Sequence, residues 1–114
     1  MQATCENIEK LEANKTPIID IRLESEWLAT GIIKESYPIT FFDEKGGYDA
    51  EVFLQDVKKI LNNNQSIAII CRTASRTGMI APFLQEHLEI DVIDLQGGIM
   101  GLTRDGYKTT PYKG

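Results

Sequence analysis

The residue types able to do chemistry are concentrated in one stretch, Cys71-Arg72-Thr73-Ala74-Ser75-Arg76-Thr77. A thiolate, not a thiol, is the nucleophile, and a free cysteine titrates near about 8.5. A cysteine that works near neutrality therefore needs positive potential at its sulfur. This stretch supplies it in three ways. Arg72 and Arg76 carry full charges. The helix expected to follow presents its N-terminus, with unpaired N–H groups and roughly half a positive charge. Thr73, Ala74 and Ser75 are small enough for the backbone to curl round one sulfur and turn successive N–H groups inward as an anion nest. Ser75 or Thr77 can also cap that helix. Cys71 is the candidate nucleophile, and Arg72, Thr73, Ala74, Ser75 and Arg76 are the candidate cradle. A buried cysteine at a strand end is commonly just a small hydrophobe; the polar, doubly basic loop after Cys71 argues for more than that.

Other chemistries fit less well. A Cys–His hydrolase needs a general base beside the thiol. The only histidine, His87, falls late in the expected helix, where a surface position near the helix C-terminus accounts for it. No CxxC pair and no His/Cys cluster is present, so no metal site is expected. The second cysteine, Cys5, reads as a spare thiol, with a resolving partner for Cys71 as the alternative. Gly97 and Gly98 lack the G-x-G-x-x-G spacing of a nucleotide loop and read as a turn needing positive φ.

The elements that position Cys71 alternate between strand and helix. Thr4 caps a first helix carrying Ile8 and Leu11 on one face. Pro17–Ile21 reads as a short buried strand. ESEWLAT follows as a helix ended by Gly31. SYPITFF reads as another strand, and DEKGGY as a turn. Asp49 caps the clearest helix, DAEVFLQDVKKIL, where Val52, Phe53, Asp56, Val57, Ile60 and Leu61 mostly trace one apolar face. LNNNQ is a polar loop. SIAIIC is a strand apolar on both faces, as inside a parallel sheet. A helix from about Ser75 to Leu88 comes next, kinked at Pro82. The strand DVIDL and a glycine-rich turn into a last short helix complete the order. Such alternation implies an α/β fold, with a mostly parallel sheet covered by helices on both faces. Ligands of such sheets sit at the carboxyl ends of the strands, and Cys71 stands at that end of the most apolar one.

CRTASRTG resembles the active-site loop of rhodanese-homology domains, Cys-Arg-x-x-x-Arg-Ser/Thr. Two more segments agree in order. Asp20, Arg22, Glu26, Trp27, Gly31 and Ile32/Ile33 resemble the family's Asp-Val-Arg-x-x-x-Glu-Phe-x-x-Gly-His-Ile segment, with Gly31-Ile32-Ile33 replacing Gly-His-Ile. Leu95, Gly97, Gly98 and Ile99 resemble its Leu-x-Gly-Gly-Ile segment. The resemblance implies a rhodanese-like three-layer domain spanning residues 1–114 and a sulfurtransferase that holds sulfane sulfur as a persulfide on Cys71. It implies a small sulfur-containing anion such as thiosulfate as donor. Cyanide or a thiol is the implied acceptor, and a protein such as thioredoxin is one form the thiol can take. No cofactor is expected, because the cysteine carries the group. A phosphatase or arsenate reductase of the same fold is the weaker alternative: such phosphatases use Cys-x5-Arg, whereas Cys71 to Arg76 is Cys-x4-Arg, a ring better sized for one sulfur than for phosphate or arsenate. A non-catalytic or redox-sensing module is the other alternative. Asp20 and Arg22 read as an ion pair or turn anchor, Glu26 as a solvated or paired helix residue, and Trp27 as core.

Composition narrows the partners. The chain of 114 residues carries a net charge of −5. An acidic surface argues against nucleic acid, which needs basic contacts to phosphate. No apolar run reaches the ~18 residues of a membrane span. The first residues lack the basic and apolar regions of a signal peptide, so the cytoplasm is the expected compartment. No heptad pattern or interface stripe points to an oligomeric state.

Overall fold

The computed structural model describes residues 1–61 and 66–113. The polar loop read after Leu61 lies outside them.

Four strands form one parallel sheet in the order β2-β1-β3-β4. They are β1 (Ile18–Asp20), β2 (Tyr37–Pro38), β3 (Ser66–Ile70) and β4 (Asp91–Asp94). Parallel neighbours need crossovers. These are supplied by α2 (Glu24–Thr30), α3 (Ala50–Leu61) and α4 (Thr77–Leu88), while α1 (Cys5–Ala13) and α5 (Gly98–Arg104) flank the set. The expected α/β architecture is the one observed.

Alternation along β3 divides the core. Ile67, Ile69 and Cys71 face a cluster with Phe53 and Val57 of α3 and Ile80, Ala81 and Leu84 of α4. Ala68 and Ile70 face the opposite cluster, with Ile8 and Leu11 of α1 and Ile99 and Leu102 of α5. Both faces of the strand are buried, which is why its sequence runs apolar without a break.

Local signals explain several boundaries. The Thr4 hydroxyl accepts the Asn7 N–H at the start of α1, and the Asp49 carboxylate accepts the Val52 N–H at the start of α3. Three expectations are corrected. SYPITFF contributes only Tyr37–Pro38 as regular strand, although the Ile39 and Phe41 amides still bond to the Asp20 and Ile21 carbonyls. Val52 is 52% exposed, because α3 turns Phe53 and Val57 inward instead. The fourth helix begins at Thr77 rather than Ser75, because residues 72–76 are used to wrap the sulfur; it then runs to Leu88 with Pro82 inside it.

Candidate active site

Cys71 follows the last residue of β3, and its side chain belongs to the α3/α4 core. Two hydrogen bonds fix the backbone there. The Ile99 amide donates to the Cys71 carbonyl at 2.8 Å, and the Met100 amide donates to the Arg72 carbonyl at 3.1 Å. The first turn of α5 thus draws these carbonyls to one side. Gly98 allows the approach: it sits at φ +59°, and a Cβ there would collide with both carbonyl oxygens. The glycine pair is a clamp on the loop and has no phosphate-binding geometry.

Beyond Arg72 the chain folds back over the sulfur. Ala74 lies at φ +75°, a region that costs a non-glycine residue about 1–2 kcal/mol. Its amide donates to Cys71 Sγ at 3.1 Å. Of the five cradle residues, Ala74 is the one whose amide makes this bond among the described residues. Thr73 and Ser75 are exposed and pair their hydroxyls at 3.4 Å. Neither Ser75 nor Thr77 caps α4; Arg76 occupies the N-cap without a side-chain bond. The Thr77 hydroxyl instead lies 3.8 Å from Sγ, 3.2 Å from the Ala74 carbonyl and 2.6 Å from Asp94 Oδ1.

The two arginines differ. Arg76 meets the Glu26 carboxylate with two hydrogen bonds of 2.8 and 2.9 Å. Those bonds hold Arg76 above the usual guanidinium range; burial opposes them, and the Glu26 charge and the neighbouring Cys71 sulfur add to them. The same bonds hold the Glu26 carboxyl below its ordinary range against the effect of burial. Arg76 is therefore a charge fixed in place beside the sulfur. The Arg72 side chain is exposed and makes no ion pair among the described residues. It lines a cleft of about 450 Å³ together with Ser25, Glu26, Ala29, Ile99 and Met100.

Asp20 and Arg22 support the site from behind. Both are buried, joined at 2.8 Å. Arg22 also donates to Thr30 Oγ1 at 2.6 Å and to the Gly31 carbonyl at 2.7 Å, tying the end of α2 to the end of β1. The expected ion pair is observed, and through α2 it sets where Glu26 stands. Trp27 is core, packed on Tyr112 at 5.1 Å. His87 is exposed at the far end of α4, its ring 4.4 Å from that of Phe83. Cys5 lies beside Asp105, at the C-terminal end of α5, whereas Cys71 meets the N-terminal end of that helix.

The Rhodanese-like domain family matches residues 5–105. The chain belongs to the rhodanese-like family. Solved structures agree on the fold of this rhodanese-like chain. A rhodanese-related protein from Thermoplasma volcanium has a TM-score of 0.67 and 22% identity, over 93% of this chain and 93% of its own. A protein from M. tuberculosis has a TM-score of 0.67 and 19% identity, over 82% of this chain and 74% of its own. A rhodanese-like domain protein from Staphylococcus aureus has a TM-score of 0.57 and 19% identity, over 89% and 90%. No curated protein matches the chain. No described helix is long and apolar enough to cross a membrane, and no group of three or more potential metal ligands occurs among the described residues.

Glu26 is paired, one of the two readings given for it, but neither its Arg76 partner nor the Thr77–Asp94 contact was foreseen from the sequence. Glu26 carried a signal, since it matches a family position, but its partner lies 50 residues away. Asp94 carried none.

Proposed function

We propose that this rhodanese-like chain is a sulfurtransferase that carries one sulfane sulfur as a persulfide on Cys71. The observation that carries the reading is the inward amide of Ala74, 3.1 Å from Sγ and held in a left-handed backbone conformation. A loop strained to aim a donor at sulfur is fitted to sulfur that bears negative charge. The fixed charge of Arg76 reinforces it.

The steps follow from that geometry. The Cys71 thiolate attacks the outer sulfur of thiosulfate. A new S–S bond forms, the donor S–S bond breaks, and its electron pair leaves on sulfite. Arg72, exposed and unpaired among the described residues, is the group suited to the sulfite oxygens. A thiolate acceptor or cyanide then attacks the outer sulfur of the persulfide and releases Cys71 as thiolate. The products are the acceptor persulfide or thiocyanate. A thiol protein of the thioredoxin kind is a fitting acceptor.

Phosphoryl chemistry has less support. It needs the arginine at the loop end free to clasp phosphate oxygens, and Arg76 is already clasped by Glu26. The second reading, a reactive or silent thiol without turnover, is favoured by one observation: Cys71 has no exposed surface. Steady-state assays separate the two. Thiosulfate and cyanide should yield thiocyanate with ping-pong kinetics, lost in Cys71→Ala and retained in Cys5→Ala. Absence of thiocyanate together with rapid alkylation of Cys71 supports the second reading instead.

A further inference from the structure

The Thr77–Asp94 contact sits directly beside the reacting sulfur, and the sulfur-transfer steps above do not use it. Thr77 is fully buried, and Asp94, the last residue of β4, is half-buried. A hydroxyl has one proton to give and two lone pairs. Two acceptors compete for the Thr77 proton, Asp94 Oδ1 at 2.6 Å and the Ala74 carbonyl at 3.2 Å, while Cys71 Sγ stands 3.8 Å away as a donor to the hydroxyl. The shortest partner is a carboxylate, and a charge-assisted bond is roughly twice as strong as a neutral one. The proton therefore lies on the Asp94 side, and an oxygen lone pair is left facing the sulfur. A lone pair accepts from a thiol S–H and repels a thiolate.

We propose that Asp94, acting through the Thr77 hydroxyl, is a positioning residue that disfavours negative charge on Cys71 Sγ. It is the counterweight to Ala74 and Arg76, which favour that charge. The inner sulfur of a Cys71 persulfide is uncharged, so loading the sulfur relieves the repulsion between the Thr77 lone pair and Sγ and leaves the Thr77–Asp94 bond undisturbed. That meaning depends on the sulfur-transfer reading; the charge effect itself does not.

The charged groups around this set are few. From the loop come Arg72 and Arg76, and from α2 comes Glu26, which holds Arg76. The Asp20–Arg22 pair stands at the end of neighbouring β1. From the N-terminus, the Met1 ammonium donates to the Asp94 carbonyl at 3.3 Å. Asp94 is the carboxylate joined to the sulfur through a single hydroxyl.

The test is the pH profile of Cys71 alkylation by iodoacetamide in the full chain carrying Cys5→Ala. It needs no sulfur donor, so it stands or falls separately from the assay for thiocyanate. Asp94→Asn keeps the shape and removes the charge. Its amide can donate to Thr77 Oγ1, which frees the hydroxyl proton from the carboxylate for the Ala74 carbonyl or the sulfur. The alkylation midpoint should move down by about one pH unit, equivalent to about 1.4 kcal/mol. Asp94→Ala should move it the same way, which covers the case in which the asparagine variant fails to fold. Thr77→Ser should keep the parent midpoint. With Thr77→Val in place, adding Asp94→Asn should shift the midpoint by less than half as much, because only through-space charge remains. An unchanged or raised midpoint in the Asp94 variants overturns the proposal. So does a shift of undiminished size in the valine background, which would make Thr77 irrelevant to it.

Discussion

The chain contains two thiols, and they sit in opposite surroundings. Cys71 receives an amide at 3.1 Å and lies beside the fixed charge of Arg76. Cys5 points its sulfur at the Asp105 carbonyl, 3.7 Å away, while the Asp105 carboxylate is held by the Cys5 amide. Burial first, then the Asp105 hydrogen bond and charge, push the Cys5 thiol above its ordinary range. Burial is not what separates the two, since Cys71 is the more buried. What separates them is the nearest polar group, an amide that donates to Cys71 and a carbonyl that accepts from Cys5. A donor favours charge on sulfur and an acceptor opposes it.

The contrast is broken most severely by disturbing the clamp that orients the Cys71 loop. Gly98→Ala forces an L residue to φ +59° and drives a methyl group into the Cys71 and Arg72 carbonyls. It should cost about 3 kcal/mol of stability and remove sulfur transfer. Gly101→Ala, on the same helix with open space at its Cβ, is the control and should be neutral or stabilising in thermal unfolding. A smaller effect is expected at Arg72. Arg72→Ala should raise KM for thiosulfate about tenfold with little change in kcat, the worth of one charge-assisted hydrogen bond.

Glu26 sharpens the comparison through pH. Its folded carboxyl is held below the ordinary glutamate value of 4.5 by the Arg76 hydrogen bonds. The pair's contribution is therefore complete above about pH 4.5 and is lost as the pH falls through the lower folded value. The pair is partly exposed, so the loss should stay within about 1 kcal/mol. Glu26→Gln should flatten stability against pH in that acid window, as measured by urea unfolding. The smallest effect concerns the spare thiol. Asp105→Asn keeps an acceptor for the Cys5 amide and removes the charge, so the Cys5 alkylation midpoint should move down while that of Cys71 stays in place.

Much of this was legible in the sequence because it depends on short-range pattern. The unbroken apolar run of β3, the Thr4 and Asp49 caps, the turn at Gly97-Gly98 and the reactive loop are each written within a few residues. The expected ring of inward amides was legible only in part. Small residues permit such a ring, but the left-handed turn at Ala74 brings one amide to the sulfur. The pairing of the charges was not legible. Arg76 offered itself as a free positive charge until α2, tied to β1 by Arg22, brought Glu26 against it. Thr77 offered itself as a cap until the β3–β4 register set Asp94 beside Ile69, next to the loop. Those outcomes depend on where separate elements dock, which no local pattern encodes.

If Cys71, and not Cys5, carries the extra sulfur, site-resolved mass spectrometry after incubation with thiosulfate will show the added mass of one sulfur atom at Cys71, its removal by cyanide, and an unmodified Cys5 in the same molecules. An unmodified Cys71 with thiosulfate and with polysulfide alike, or sulfur added equally to both cysteines, would contradict it.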